Sequence, residues 1–169
     1  METIEAIYTR RSIREYTSQP VSEEVIHELL TAAMYAPSAG NQQPWHFVVI
    51  RDRRTLDAIP EFHPFANMLK NAPVAILVCG EPALEKYRER WMLDCSAATQ
   101  NILLAAHAKG LGTVWVGIYP EAGRMDGMRN LLALPKHIIP LSLIPIGYPA
   151  EQIPQPKRFN TSRIHYDKW

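Results

Sequence analysis

Three arginines and one serine near the amino terminus form the first group of side chains that could do chemistry. Arg10, Arg11 and Arg14 fall within the stretch TRRSIREYTSQP, with Ser12 between them. Guanidinium groups can bind phosphate through two parallel hydrogen bonds, so this spacing is compatible with an anion site. The alternative is a solvated helix end, because cations are stabilised near helix C-termini. Taken alone, the cluster favours the helix end.

A second polar stretch, APSAGNQQPWHF, lies between an amphipathic helix and an apolar strand. It carries Ser38, Asn41, Gln42 and Gln43. Small residues let a ligand approach the main chain, and amides both donate and accept hydrogen bonds. Turn-forming residues of this kind are also common in ordinary helix-to-strand loops. None of these side chains would be a nucleophile or a metal ligand by itself.

Other catalytic patterns are not found in the sequence. GLGTVW, residues 110–115, has Trp115 where a dinucleotide-binding fingerprint needs glycine, and it follows a helix instead of a strand. The six histidines lack metal-ligand spacing, and no serine lies in a nucleophile elbow. Cys95 lies among apolar residues in a predicted helix and is expected in the core. Arginines, serine and amides without a catalytic acid, base or nucleophile are typical of a protein that binds and orients a cofactor.

Flavin mononucleotide (FMN) matches this set of side chains. Its phosphate carries about two negative charges near neutral pH. Its pyrimidine edge presents carbonyls and an N–H, with which guanidiniums and amides can pair. A fixed cation there raises the reduction potential, because negative charge develops at N1 and O2 on reduction. We therefore expect Arg10, Ser12 and Arg14 near the phosphate or pyrimidine edge, and Asn41 near the ring.

The surrounding sequence predicts helices and strands in alternation. Ser22 can cap an amphipathic helix, and strands are predicted over WHFVVI, VAILVCG, TVWVGIY and IIPLSLIPIGYP. Short helices are predicted over RRTLDAIPEF and EAGRMDGMRNLLAL, and one or two turns over FANMLKNA. A long helix from Pro82 to Lys109 is expected to end at Gly110. Strands separated by helices indicate a mixed α/β protein.

Composition restricts the class of protein and its partners. A chain of 169 residues with a formal net charge of +1 fits one domain, and no basic excess suggests nucleic acid or an anionic membrane. Two cysteines in apolar surroundings, with no apolar leader or membrane-spanning run, indicate a cytoplasmic protein with free thiols. The stretch CSAATQNILLAAHA carries no charged residue, and a helix apolar on most sides is buried on most sides. A homodimer with this helix in its interface is slightly favoured over a helix wrapped by its own sheet.

Over essentially its whole length, the chain resembles the FMN-dependent nitroreductase family, in its short-chain branch. The resemblance rests on six segments in order: RRSIREY, AAMYAPSAGNQQPWHFVVI, APVAILVCG, DCSAATQNILLAAHAKGLGTVWVGIYP, IPIGYP and KRFNTSRIHYDKW. It implies a single α+β domain over residues 1–169, with a central, mainly antiparallel sheet flanked by helices. It also implies an intertwined homodimer, with a C-terminal tail of about residues 151–169 extending over the partner.

The resemblance also implies a cofactor site built from both chains. Arg10, Arg11, Ser12 and Arg14 would hold the phosphate, ribityl chain and pyrimidine. The other implied contacts are Pro37, Ser38, Ala39 and Asn41 from the partner, Val116 and Gly117 with a main-chain N–H facing N5, Asn67 facing the flavin, and Lys157 or Arg158 at the phosphate. With the resemblance, RRSIR is interpreted as a phosphate and flavin-edge site. The open face is expected to be lined by residues near His63, Phe65 and Tyr119.

The activity implied by the resemblance is a two-step redox reaction. NADH or NADPH would deliver hydride to flavin N5 and leave, and a nitroaromatic, quinone or similar small acceptor would then take the electrons by a ping-pong mechanism. Dehalogenation or flavin fragmentation would need longer lid segments than the short span 53–72 provides. A flavin-binding carrier or sensor without fast nicotinamide turnover, and an interaction domain without a cofactor, remain alternatives.

Overall fold

The computed structural model describes residues 1–169 and contains five helices, five strands and four short 3-10 turns. The helices are α1 (Thr3–Thr9), α2 (Glu23–Met34), α3 (Arg53–Phe62), α4 (Trp91–Ala108) and α5 (Ala122–Leu132). The strands are β1 (Trp45–Ile50), β2 (Val74–Gly80), β3 (Gly112–Thr113), β4 (Val116–Gly117) and β5 (Ile139–Gly147). The 3-10 turns span Ala39–Asn41, Asn67–Lys70, Pro82–Leu84 and Thr161–Arg163.

All strand pairs of the sheet are antiparallel. β2 lies between β1 and β5, and β3 and β4 both pair with the opposite edge of β5. Thr113 faces Ile146 and Val116 faces Leu143. The prediction of one continuous strand over TVWVGIY is wrong, because the ladder is interrupted between these two pairs. Pro145, which precedes Ile146 on β5, has no N–H to donate at this point.

The sheet forms the middle of three layers. Every residue of β2 is buried, and successive side chains point to opposite faces. Ile76 belongs to a core cluster of 19 buried residues that includes α2 and α4, and Leu77 to one of 17 that includes α3 and α5. The predicted α+β class with an antiparallel sheet flanked by helices is confirmed.

The long helix predicted over Pro82 to Lys109 is shorter than expected. After the turn Pro82–Leu84 the chain stays irregular, and α4 begins only at Trp91. Glu89 adopts a left-handed conformation (φ 62°), which an α-helix cannot contain. The Glu85 carboxylate then accepts hydrogen bonds from the main-chain N–H groups of Arg90 and Trp91 and caps the new start. At the other end Gly110 has φ 77°, which agrees with its predicted role as the terminator.

Helix α4 is buried on one face only within a single chain. Cys95, Ala98 and Ile102 pack into the core beneath it, whereas Leu93 on the outer face is 64% exposed. The chain's own elements therefore leave part of the outer face of α4 uncovered. Both cysteines are free and buried, as predicted. No helix of the structure is long and apolar enough to cross a membrane.

Candidate functional site

An open groove lies against β4 and has a volume of about 700 Å³. The lining residues come from the segment that follows Ser12, from the turn after α3, from β4 and the two residues before it, and from α5. They are Arg14, Glu15, His63, Pro64, Phe65, Asn67, Met68, Val114, Trp115, Val116, Gly117 and Arg124. The groove thus combines two guanidiniums, an amide and aromatic side chains around one edge of the sheet.

His63 fixes one wall of this groove. It directly follows α3, its side chain is almost fully buried, and its Nε2 lies 2.9 Å from the carbonyl oxygen of Gly117. The main-chain N–H of Phe65 donates to Nδ1 over 3.2 Å, so the ring hydrogen is on Nε2 and is donated to Gly117. Burial lowers the pKa of His63, Arg124 lowers it further, and the bond to Gly117 opposes them. The imidazole is therefore neutral at pH 7.

Arg124 approaches the same carbonyl from α5. Its Nη1 donates to the oxygen of Gly117 over 3.1 Å, and its guanidinium carbon lies 5.5 Å from the centroid of the Phe65 ring. Two donors on one oxygen hold the Gly117 peptide in a single orientation. The sequence analysis did not identify Arg124, because helical periodicity does not show that α5 turns this residue toward the groove.

The groove also contains Arg14 and Asn67. The main chain at Arg14 and Glu15 is held by Glu151, whose Oε1 accepts their N–H groups over 2.5 Å and 3.2 Å. The Arg14 side chain itself is exposed, and its only intramolecular hydrogen bond is a 3.5 Å contact to the oxygen of Ser12. Ser12 pairs with Thr113 of β3 in a parallel bridge, which places the arginine-rich segment beside the sheet. Glu151 was also missed by the sequence analysis.

Arg10, Arg11 and Arg158 form a cationic cluster next to this segment. Burial lowers the pKa of Arg10, and the positive charges of Arg158 and Arg11 lower it further. Arg11 donates to the carbonyls of Tyr8 and Pro154, so it also fastens the tail to the end of α1. None of the ion pairs of the structure involves these three arginines. Neighbouring guanidiniums without an ion-pair partner fit a phosphate group.

Lys157 extends this positive surface into a second groove along α1, of about 1050 Å³. Its lining residues are Ile7, Tyr8, Arg11, Gln155, Pro156, Lys157, Arg158 and Phe159. The cluster is thus continuous with the exposed tail.

The loop from Pro37 to Gln43 is held in an unusual conformation. Gly40, Asn41 and Gln43 all have left-handed backbone angles, with φ between 48° and 55°. A side chain at Gly40 would lie 2.5 Å from the Tyr87 ring, so the close approach requires glycine. Residues in such regions persist only where their surroundings hold them.

Asp94 of α4 supplies that support. Its carboxylate accepts from the main-chain N–H of Ala39 over 3.0 Å and from the Gln42 amide over 2.6 Å. The oxygen of the same amide accepts from the N–H groups of Lys86 and Tyr87. The Ser38 hydroxyl accepts from the N–H of Gln43. A single carboxylate just before the uncharged stretch of α4 was a signal that the sequence analysis did not use.

The predicted site residues therefore fall into separate places. Arg14, Asn67, Val116 and Gly117 share the first groove, with His63 and Phe65 as expected. Arg10, Arg11 and Arg158 meet beside it, with Lys157 on the adjoining surface. The loop with Pro37, Ser38, Ala39 and Asn41 lines neither groove. Tyr119 is also outside, because it packs edge-on against Trp91 with ring centroids 5.2 Å apart.

Comparison with known proteins adds four observations. A model of the nitroreductase family matches residues 7–64 and 63–148. A protein of Methanothermobacter thermautotrophicus, provisionally named NADH dehydrogenase/NAD(P)H nitroreductase, is 53% identical over 169 residues, covering 100% of this chain and 88% of the relative. A crystal structure from Parabacteroides distasonis with the same provisional name has a TM-score of 0.95 at 44% identity, covering 99% of this chain and 98% of that one. A crystal structure of a provisionally named nitroreductase from Desulfovibrio desulfuricans, in complex with FMN, has a TM-score of 0.87 at 32% identity, covering 100% and 98%.

Proposed function

The chain belongs to the nitroreductase family, and on that premise we propose that it is an FMN-dependent oxidoreductase that uses NADH or NADPH. The observation that carries the proposal is the cluster of Arg10, Arg11 and Arg158 beside the groove at Gly117. Bringing guanidiniums together is unfavourable unless an anion offsets their repulsion, and a phosphate dianion would do so. The FMN complex of the related Desulfovibrio protein supports the identity of the ligand.

The phosphate end of the cofactor is assigned to the cationic cluster. Arg10 and Arg158 would hold the phosphate, with Lys157 adding positive charge at its outer side. Arg11 has two roles in this proposal, because it also ties the tail to α1 through Pro154. The Ser12 hydroxyl and the Arg14 guanidinium would continue along the ribityl chain toward the pyrimidine edge.

The ring end is assigned to the first groove. FMN, when bound, supplies the hydride chemistry, by accepting hydride at N5 and passing electrons to an acceptor. The chain's own contribution is to hold Val116 and Gly117 rigidly, and the hydrogen bonds from His63 and Arg124 to the Gly117 carbonyl do this. The Asn67 amide can donate to or accept from the ring edge. No side chain is needed as a nucleophile or catalytic acid.

The second half of the site is assigned to a partner chain. The loop with Pro37, Ser38, Ala39 and Asn41 is rigidly supported by Asp94, yet it does not reach the groove of its own chain. A homodimer that covers the outer face of α4 would bring the partner's copy of this loop to the flavin. The tail of residues 151–169, almost all exposed in one chain, would then lie over the partner.

The hydride donor, NADH or NADPH, and the electron acceptor would occupy the same groove in turn. The chain has no separate dinucleotide-binding fingerprint, so alternating occupancy and ping-pong kinetics are expected. Nitroaromatics and quinones are the proposed electron acceptors, because their planar rings can stack on the aromatic side chains of Phe65 and Trp115, which line the groove.

An absorbance experiment tests this proposal. The purified protein is incubated with FMN, desalted, and mixed anaerobically with NADH or NADPH. We expect a retained flavin spectrum that bleaches within seconds and recovers when a quinone is added. Retained flavin that does not bleach would indicate a carrier or sensor, and folded protein without flavin would contradict the cofactor assignment.

A further inference from the structure

We propose that Arg124 selects substrates that carry an anionic group, by pairing with a carboxylate or phosphate oxygen of the molecule that enters the groove. The inference rests on the proposed function, because it concerns the donor or acceptor that uses this groove. It assigns a role to a residue that is not among the predicted cofactor contacts, and it predicts that the substrate carries a negative charge.

The position of Arg124 is the first part of the argument. It lies in the first turn of α5 and lines the groove together with Gly117, Phe65 and Asn67. Its guanidinium is anchored at one nitrogen by the Gly117 carbonyl and lies over the Phe65 ring. A guanidinium has five N–H donors, so most of them stay available to a ligand.

The hydrogen bond of Arg124 to the Gly117 carbonyl does not by itself explain why this side chain is positively charged. The Gly117 carbonyl already accepts a hydrogen bond from Nε2 of the buried His63. A second donor there adds rigidity, and a neutral side chain could provide it. A guanidinium with a fixed orientation, in contrast, has the geometry for two parallel hydrogen bonds to a carboxylate or phosphate.

The charge of the groove supports the same conclusion. Arg124 and Arg14 are its two cations, and neither forms an ion pair within the chain. Glu15 is the only carboxylate among the lining residues, and His63 is neutral. If Arg14 faces the cofactor, Arg124 is the cation left for the substrate. A neutral acceptor alone would leave it without a partner.

The anion has two possible sources that share this chemistry. It can be the carboxylate of a small aromatic acceptor or the pyrophosphate of the nicotinamide coenzyme. Binding measured by isothermal titration calorimetry on the FMN-loaded protein separates them without turnover. The first ligand pair is benzoate and benzamide, which share a ring and differ in charge. The second is NAD⁺ and 1-methylnicotinamide, which share the nicotinamide cation, whereas only NAD⁺ carries the pyrophosphate, together with its two riboses and adenine.

We expect Arg124→Gln to weaken the anionic member of one pair about tenfold relative to its neutral or cationic counterpart, as for the loss of a charge-assisted hydrogen bond. Arg124→Lys keeps the charge and should retain part of the preference. Arg54→Gln is the matched control, because Arg54 is an exposed arginine outside the groove. Loss confined to benzoate would identify an acidic acceptor, and loss confined to NAD⁺ the coenzyme pyrophosphate.

The inference is overturned if Arg124→Gln weakens all four ligands by the same factor, if it weakens none, or if the wild type shows no preference for an anion in either pair. The proposed function is tested separately on the same samples by anaerobic reduction with NADH or NADPH. Flavin that is reduced normally while charge selection is absent would remove the inference alone. Flavin that is not reduced would remove the oxidoreductase assignment, whatever the ligand preference.

Discussion

At the scale of single residues, one carbonyl oxygen organises the groove. Gly117 accepts from His63 Nε2 and from Arg124 Nη1, and the Phe65 N–H donates to the other nitrogen of the same imidazole. This arrangement needs the neutral ring, because a protonated Nδ1 can no longer accept. A proton on His63 would therefore break the bond to Phe65 and add a positive charge beside Arg124.

The first prediction is a loss of stability at acidic pH. Burial lowers the pKa of His63 in the folded state, so the unfolded chain takes up a proton at about pH 6.5 and the folded chain only at lower pH. The free energy of unfolding should be unaffected by this group above that pH. It should fall by up to about 1.4 kcal/mol per pH unit as pH decreases through the window between the two pKa values.

Urea unfolding between pH 5 and pH 8 measures this effect. His63→Gln, which can still donate to Gly117, should be less stable than wild type at pH 8 and should show a shallower decline below pH 6.5. His27→Gln on the exposed side of α2 is the control and should keep the wild-type profile. Parallel profiles for wild type and His63→Gln would contradict the prediction. Burial and the charges of Arg10 and Arg11 lower the pKa of His107 too, so the difference between variants is the quantity to compare.

The spacing of the three arginines and the serine alone favoured a solvated helix end, and only the resemblance to the nitroreductase family made it a predicted phosphate site. The structure brings Arg158 of the tail near Arg10 and Arg11, and none of the three is in an ion pair. Arg124 could not be identified in this way. Its meaning depends on which face α5 turns toward the groove, and that is set by packing between α3, α5 and the sheet.

At the scale of elements, the loop before β1 is the part of the candidate site that most depends on another element. Left-handed backbone angles at Gly40, Asn41 and Gln43 are costly, by about 1–3 kcal/mol for each residue other than glycine. Asp94 offsets that cost from α4, through the N–H of Ala39 and the amide of Gln42. The start of α4 is itself set by Glu85 and by the left-handed Glu89.

The second prediction is that Asp94→Ala destabilises the fold and loosens this loop. It leaves the buried Gln42 amide and the partly buried Ala39 N–H without an acceptor, so we expect a loss of about 2–3 kcal/mol in the free energy of unfolding. Hydrogen exchange at the Ala39 amide should become faster, and FMN affinity should fall because the loop loses its fixed shape. Urea unfolding, amide exchange by mass spectrometry and FMN titration measure the three effects.

Asp126→Ala is the matched control for Asp94→Ala. Asp126 is an exposed carboxylate on α5 that pairs with Arg129 at 3.3 Å, and such surface pairs contribute about 0–1 kcal/mol. If Asp94→Ala were as mild as Asp126→Ala, with unchanged exchange at Ala39, the loop would not depend on α4. A stable Asp94→Ala variant with weak FMN binding would still support the role of the loop in the site.

The elements were predicted well where local signals sufficed. Ser22 caps α2 as expected, with its hydroxyl accepting from the Val25 N–H, and α3 has the predicted bounds over RRTLDAIPEF. The start of α4 was wrong because residues 85–90 are ordinary helix formers, and nothing local predicts a left-handed backbone at Glu89. The break between β3 and β4 depends on Pro145, which lies 31 and 30 positions along the chain from Val114 and Trp115 and becomes a neighbour only in the sheet.

At the scale of the whole molecule, one chain leaves part of its apolar surface uncovered. Large apolar side chains are exposed on α1, on α4 and along the tail, with Leu93 64%, Phe159 85% and Trp169 100% exposed. The proposed dimer would cover some of these side chains, since large exposed apolar patches mark interaction sites. The loop of residues 37–43 and the groove at Gly117 lie apart in the same chain, so the dimer proposed above would have to join them.

The third prediction tests this arrangement by complementation between chains. Arg14→Ala removes a cation from the groove, and Pro37→Trp places a bulky ring on the loop at an exposed position, where it should obstruct a neighbouring flavin. Each variant alone should lose most of its FMN binding. The two are co-expressed with different affinity tags, the mixed dimer is purified through both, and FMN bound per dimer is measured.

If each site combines the groove of one chain with the loop of the other, the mixed dimer contains one site with both changes and one site with neither. It should therefore bind one FMN per dimer with wild-type affinity, and NADH or NADPH should bleach that flavin. If groove and loop came from the same chain, each site would carry one change and no binding would return. A folded monomer with full FMN affinity, detected by analytical ultracentrifugation, would also contradict the shared site, because a groove that holds the cofactor alone has no need of the partner's loop.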